Sequence, residues 1–328
     1  MYKTLNAAEQ AAPAVEARSL LKIYEKNRVV DGIDLTLPVG KVYGILGPNG
    51  AGKTTTIKML TTLLKPDGGI AKIFGHDVQK EANTVRRLIG VTGQYASLDE
   101  KLSAYENLFI FSRLLGFSPR GARKKAGYLL AEFDLEDVAA RLVEKFSGGM
   151  RRRLDLAASL ISEPPLLFLD EPTTGLDPRN RAMIWDLIRG LVSKGTTVLL
   201  TTQYLDEADQ LADRIAVIDR GKVIAEGTSN ELKASIGANT LHLRLDGGNN
   251  TEKATAIINQ ILGVKCAVTD DLNISAPMKT PGLVTDLLIA FRNVGIGLSE
   301  ISVQKPTLDE VFLTITGHSA KEKSGGAI

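Results

Sequence analysis

The apolar stretch Val42-Tyr43-Gly44-Ile45-Leu46 runs straight into Gly47-Pro48-Asn49-Gly50-Ala51-Gly52-Lys53-Thr54, and helical spacing follows from Thr54 to Leu64. A buried strand that ends in glycines and turns at once into a helix places strand end and helix N-terminus side by side. That unit belongs to α/β folds. The eight residues fit G-x-x-x-x-G-K-[ST], in which glycines let backbone N–H groups close around a phosphate. In this pattern Lys53 reaches the β- and γ-phosphates of a nucleotide, and the Thr54 hydroxyl, with Thr55 beside it, faces Mg²⁺.

A second apolar run, Leu166–Leu169, ends in Asp170-Glu171-Pro172. Continuous apolar runs of this length are expected of strands buried on both faces of a parallel sheet. Ligands of such sheets bind beyond the carboxyl ends of the strands, where these two acids fall. Asp170 suits Mg²⁺ held through water, and Glu171 suits a general base for an attacking water. Further segments read as strands at 17–24, 33–37 and 197–200, with a helix at 179–193 and a mostly helical stretch from 82 to 142. The N-terminal lead, residues 1–16, reads as disordered. Gly237-Ala238-Asn239 reads as a joint, so one domain spans 17–236 and a second spans 237–317, before a polar tail at 318–328. The second domain reads strand–helix–strand–strand–helix–strand plus a last helix, the order of a ferredoxin-like α+β unit.

With 44% hydrophobic and 24% charged residues, 328 residues build a core without crosslinks. A net charge of +2 gives no reason to expect nucleic acid as a partner. The single cysteine, Cys266, excludes disulfides and cysteine metal sites within the chain, and three scattered histidines lack ligand spacing. No stretch approaches the ~20 apolar residues that cross a bilayer, and the N-terminus is not a secretory signal. Arg151-Arg152-Arg153 reads as a solvated helix face.

Between the phosphate loop and the acidic pair lies Ser147-Gly148-Gly149-Met150-Arg151, a second helix start built for an anion. One chain already has a phosphate cradle, so the economical reading assigns this second end to the nucleotide of another copy. With Gln94 and Thr174-Gly175-Leu176-Asp177, these motifs resemble, in order, the ATP-binding subunit of ABC transporters over roughly 17–236. The resemblance narrows to the daunorubicin and doxorubicin resistance exporters through 146–160, 201–213 and 306–317.

The family implies an ABC-type nucleotide-binding domain, a mixed sheet with a helical subdomain, that binds and hydrolyses ATP with Mg²⁺. Carried over by position, Tyr24 stacks on adenine and Gln94 helps hold Mg²⁺. Ser147, Gly148 and Gly149 meet the nucleotide held by the opposite protomer, and Asp177 bridges the two. The read-from-sequence alternative for Tyr24 is a half-buried strand aromatic. Gln203 stands where most of the family has histidine; it can hydrogen-bond but cannot shuttle a proton near neutral pH. The implied partners are a second copy, head to tail across ATP, and an integral membrane permease, whose coupling helix the family receives in the region of Leu102, Leu108, Phe109, Phe111, Leu114 and Leu115; at helical spacing these read mainly as core, with one or two exposed for docking. The implied location is cytoplasmic, peripheral on the inner face of the cell membrane. The implied task is export of a hydrophobic drug or lipid-like molecule; the competing readings are an importer subunit and a soluble ABC-type ATPase acting on nucleic acid or ribosomes.

Overall fold

The computed structural model describes residues 5–93, 98–235, 239–247, 250–268, 272–278, 280, 282–304 and 306–316. It divides into two compact units, Met1–Thr228 and Ser229–Ile328. The first unit runs α1 (Ala7–Ala11), β1 (Val15–Tyr24), β2 (Asn27–Leu37), β3 (Val42–Leu46), α2 (Lys53–Leu60), β4 (Gly68–Ile73), β5 (His76–Asp77), α3 (Ala82–Leu88) and β6 (Ile89–Thr92). It continues with α4 (Ala104–Leu114), α5 (Pro119–Glu132), α6 (Gly148–Ser159), β7 (Leu166–Asp170), α7 (Pro178–Ser193), β8 (Thr197–Thr202), α8 (Leu205–Leu211), β9 (Arg214–Asp219) and β10 (Lys222–Gly227).

A four-stranded antiparallel sheet has the order β2-β1-β4-β5, and a six-stranded sheet the order β10-β9-β3-β8-β7-β6. In the larger sheet every pair from β9 to β6 is parallel and only β10 joins antiparallel. Both faces are covered. Leu166 and Phe168 of β7 join Tyr43, Ile45 and Leu199 in one core, while Leu167 and Leu169 join Val198, Leu200, Ile184 and Ile188 in the other. Alternating directions along a strand explain why an unbroken apolar run is needed there. Parallel pairing also places the carboxyl ends of β3, β8, β7 and β6 along one rim.

The helix starts at Ser103 and Ser118 are capped as their sequence suggests: each serine hydroxyl accepts the N–H three residues on. One expectation fails. Residues 5–16 are not a disordered lead: Asn6 and Glu9 form a reciprocal capping box on α1, and Ala14 and Val15 are fully buried. His76 fastens that helix, with Nε2 at 3.2 Å from Glu9 and Nδ1 at 2.9 Å from Glu81. The stretch from 82 to 142 is mostly helical, as expected, with one short strand inside it. Ile89–Thr92 pairs with β7 as β6, and four residues are too few for periodicity to reveal.

On α4, Leu108 is fully buried, whereas Leu114 and the following Leu115 are 77% and 55% exposed.

The second unit contains α9 (Ser229–Ser235), β11 (Asn239–Leu245), α10 (Thr251–Leu262), β12 (Ala267–Val268), β13 (Asn273–Met278), α11 (Leu283–Asn293), β14 (Leu298–Gln304) and α12 (Leu308–Thr316). Its sheet order is β12-β13-β11-β14, all antiparallel, which is the ferredoxin-like arrangement. Leu241, Leu243, Ile274, Ala276, Ile258 and Phe291 form its core. The boundary between units falls before α9, not at 237; residues 236–238 and the polar tail lie outside the described residues.

Candidate functional site

The rim of the six-stranded sheet assembles the predicted residues. Register pairs Leu46 with Thr202 and Asp170 with Thr201, so Gly47, Gln203 and Glu171 each follow a strand that ends on the same side. The Gly47 N–H donates to the Thr202 carbonyl at 3.2 Å, which seats the start of the phosphate loop beside Gln203. Pro48 and Asn49 lead into a turn at Gly50, and Ala51 is buried as the loop comes back to α2. Gly52 opens α2 with φ +104, and a Cβ there would lie 2.5 Å from the Val29 carbonyl oxygen. Both conditions demand glycine.

Lys53 is 4% exposed and its ammonium donates to the Gly47 and Pro48 carbonyls at 2.9 and 3.1 Å, curling back over the loop. The same Nζ lies 3.2 Å from Glu171 Oε1, joining the two sequence motifs in one buried ion pair. Thr54 Oγ1 donates to Asp170 Oδ1 at 3.2 Å, and Thr201 Oγ1 donates to the same oxygen at 2.5 Å. Thr55 follows Thr54 in the first turn of α2.

Glu171 has φ +48, the left-handed region, which a non-glycine residue occupies at a cost of about 1–3 kcal/mol. The surroundings over-determine it. Its N–H donates to the Thr201 carbonyl and hydroxyl, both at 3.1 Å, and Thr174 Oγ1 donates to its carboxylate at 3.2 Å.

Thr54 and Asp170 offer a hydroxyl and a carboxylate, the hard oxygen donors that suit Mg²⁺. Among the described residues no three His, Cys, Asp or Glu side chains cluster as a self-contained metal site. Gln94, the remaining predicted metal residue, lies outside the described residues.

Ser147 is the N-cap of α6 and accepts the Met150 N–H at 3.3 Å; Gly148 and Gly149 form the first turn. Among the described residues no hydrogen bond joins this turn to the phosphate loop. Asp177 is the N-cap of α7 and accepts the Asn180 backbone and side-chain N–H groups at 2.9 and 2.6 Å; these bonds hold its carboxyl below the ordinary range. Tyr24 ends β1 and is 47% exposed, with the Lys22 ammonium 5.5 Å from its ring centroid. A cleft of about 200 Å³ lies among Gly148, Arg152, Glu171, Thr174 and Leu176. A larger one of about 380 Å³, lined by Phe133, Met183 and Leu187, contains none of the predicted residues.

The arginine cluster is not a solvated face. Arg151 reaches Glu100, but the Arg152 and Arg153 side chains are only 14% and 11% exposed, each drawn inward by backbone carbonyls. Sequence reasoning also missed Thr201 and Glu207, and named Thr174 only as part of a motif, without a role of its own. Glu207 is wholly buried, and its Oε1 accepts from Thr173 Oγ1 at 2.8 Å and Trp185 Nε1 at 3.2 Å. Burial raises its carboxyl above the ordinary range against the opposing pull of those bonds.

Residues 30–174 match the family model described as ABC transporter. The chain is 54% identical over 316 residues to the daunorubicin/doxorubicin resistance ATP-binding protein of Streptomyces peucetius, covering 96% of each. It is 50% identical over 314 residues to a daunorubicin resistance ATP-binding protein of Streptomyces coeruleorubidus, covering 95% of this chain and 99% of that one. Among solved structures, a post-hydrolysis dimer of an ATP-binding cassette with bound ADP and phosphate is similar at TM-score 0.60 and 27% identity, covering 65% of this chain and 98% of that one.

Proposed function

The chain belongs to the ABC transporter ATP-binding family, and from that premise we propose how its residues divide the work of an ATPase that energises drug export. ATP binding and hydrolysis are the activity. The observation that carries the assignment is the contact of Lys53 with Glu171 and of Thr54 with Asp170, four residues from two distant motifs within hydrogen-bond reach.

The phosphate loop, Gly47–Thr54 with Thr55, cradles the β- and γ-phosphates, and Tyr24 stacks on the adenine. Lys53 exchanges its carbonyl and Glu171 contacts for phosphate oxygens, which frees the Glu171 carboxylate for water. Glu171 accepts the proton of that water as its oxygen attacks the γ-phosphorus; the bond to the β,γ-bridging oxygen breaks, and ADP departs. Thr54, Asp170 and Gln94 would hold Mg²⁺, which neutralises phosphate charge when bound. Gln203, just past β8, positions the γ-phosphate or the water by hydrogen bonding, without proton transfer.

Ser147, Gly148 and Gly149 serve the nucleotide of a second copy, and Asp177 lies on the same dimer contact. A head-to-tail pair gives two equivalent ATP sandwiches. The dimeric form of the similar cassette supports this reading. In this reading the permease partner docks in part on Leu114 and Leu115, whose exposure supports it, and the chain sits at the cytoplasmic face of a membrane; among the described residues no helix is long and apolar enough to cross one. The names of the relatives favour a hydrophobic drug as cargo.

Purified Glu171→Gln tests the reading by light scattering with ATP and Mg²⁺. It should hydrolyse ATP at least a hundredfold more slowly and accumulate as a dimer. A variant that stays monomeric at saturating ATP, or turns over at the parental rate, refutes the assignment.

A further inference from the structure

Arg152 occupies the second turn of α6, and its guanidinium is spent on three backbone carbonyls from two other parts of the chain. Nε donates to Pro172 O at 2.8 Å, Nη1 to Gly93 O at 2.9 Å and Nη2 to Asp170 O at 3.1 Å, while Nη1 also lies 3.3 Å from Asp155 Oδ2. Asp170 and Pro172 flank Glu171, and Gly93 directly follows β6. One planar group therefore ties the helix that begins at Ser147 to the carboxyl ends of β7 and β6. Burial pushes the guanidinium below its ordinary value, yet it stays charged at any physiological pH, with Asp155, Glu207 and Asp170 around it.

We infer that Arg152 is a positioning residue for hydrolysis: by gripping the carbonyls on either side of Glu171, it holds that residue's left-handed backbone and aims its carboxylate. The inference rests on Glu171 being the general base. A guanidinium suits this task because its donors point in fixed, coplanar directions, and three carbonyls arrayed around it leave little freedom to the segment they belong to. An ammonium at the same place directs its donors from a single atom and cannot span all three. The geometry also gives α6 a mechanical grip on the hydrolytic segment. Any displacement of the Ser147 end would be felt at Glu171 through one side chain.

Arg153 supplies the control. One residue further on, it donates to Phe133 O and Asp134 O at 3.1 and 2.9 Å, so it holds the end of α5 by the same chemistry, and among the described residues none of its hydrogen bonds reaches the rim. The full chain is purified as parent, Arg152→Lys, Arg152→Gln, Arg153→Lys and Glu171→Gln. Melting temperature, ATP affinity with a fluorescent ATP analogue, and steady-state kcat and KM are measured well below the melting point. Arg152→Lys should lose at least tenfold in kcat, with KM and analogue affinity within about threefold of the parent. Arg152→Gln, which forfeits the charge as well, should lose at least as much. Arg153→Lys should melt earlier but keep kcat within twofold. The inference is overturned if a folded Arg152 variant keeps kcat within twofold of the parent, or if Arg152→Lys and Arg153→Lys lose kcat equally. Should Glu171→Gln turn over normally, the base assignment itself fails, an outcome separable from failure at Arg152.

Discussion

Gly149→Ala separates the two reasons this position has for lacking a side chain. A Cβ built there lies 2.4 Å from Asn180 Oδ1, 2.6 Å from Asn180 Cγ and 3.2 Å from Asn180 Cβ. The Asn180 side chain is itself held by its bond to Asp177. It must therefore rotate away from that carboxylate, or α6 and α7 must part. Overpacking of this kind costs about 1–3 kcal/mol. The exchange of glycine for alanine near a helix start returns up to about 1 kcal/mol of propensity. The single variant should thus lose about 1–2 kcal/mol.

Asn180→Ala removes the two closest atoms and leaves only the 3.2 Å contact, short by a few tenths of an ångström. In that background Gly149→Ala should be neutral or stabilising. A double-mutant cycle from urea unfolding should then give a coupling of about 1–3 kcal/mol. A coupling below about 0.5 kcal/mol would refute the steric argument. The same four proteins carry a second readout. If Gly149 also lets the backbone approach the partner's phosphate, the double variant recovers its stability but keeps ATP turnover at least tenfold below that of Asn180→Ala. Recovery of turnover together with stability would confine Gly149 to packing between α6 and α7.

Gln203→Ala removes one hydrogen bond to a charged group, worth about 1.5–3 kcal/mol, so turnover should fall roughly tenfold to a hundredfold with ATP affinity retained. Equal turnover in steady-state assays would remove Gln203 from the site. Glu207 yields a pH test. Its carboxyl is raised by burial above the ordinary 4.5, so the folded chain holds a proton that the unfolded chain releases, and stability drains away as pH rises through that window. Glu207→Gln cannot titrate, and its melting temperature relative to the parent should climb as pH rises above the ordinary 4.5. A difference that stays constant at every pH above 4.5 contradicts the assignment.

The chemistry was legible where it is local. Lys53 and Thr54 follow Gly52 in the chain, and Asp170-Glu171 follows an apolar run, so short-range pattern alone located them. Their direct meeting, with Thr201 of β8 bonded to Asp170 and Glu171 beside it, was not legible, because it depends on β8 lying between β3 and β7. Arg152 misled for a related reason. Three consecutive arginines look solvated unless one knows that carbonyls from residues 93, 170 and 172 converge on the middle one. Glu207, within the polar run Leu205-Asp206-Glu207-Ala208-Asp209, gave no sign of its burial. In the second unit the element order was readable from alternation and spacing.

The imidazole shared between Glu9 and Glu81 makes the attachment of α1 depend on a proton. The bond to Glu81, and then that to Glu9, raise His76 above its ordinary 6.5, so its contribution is complete below that value and is lost as pH climbs through the raised one. Acidic and alkaline preparations of the same polypeptide would thus present different front ends to a protease, an antibody or a fused tag: a latched helix in one, a loosened strap in the other.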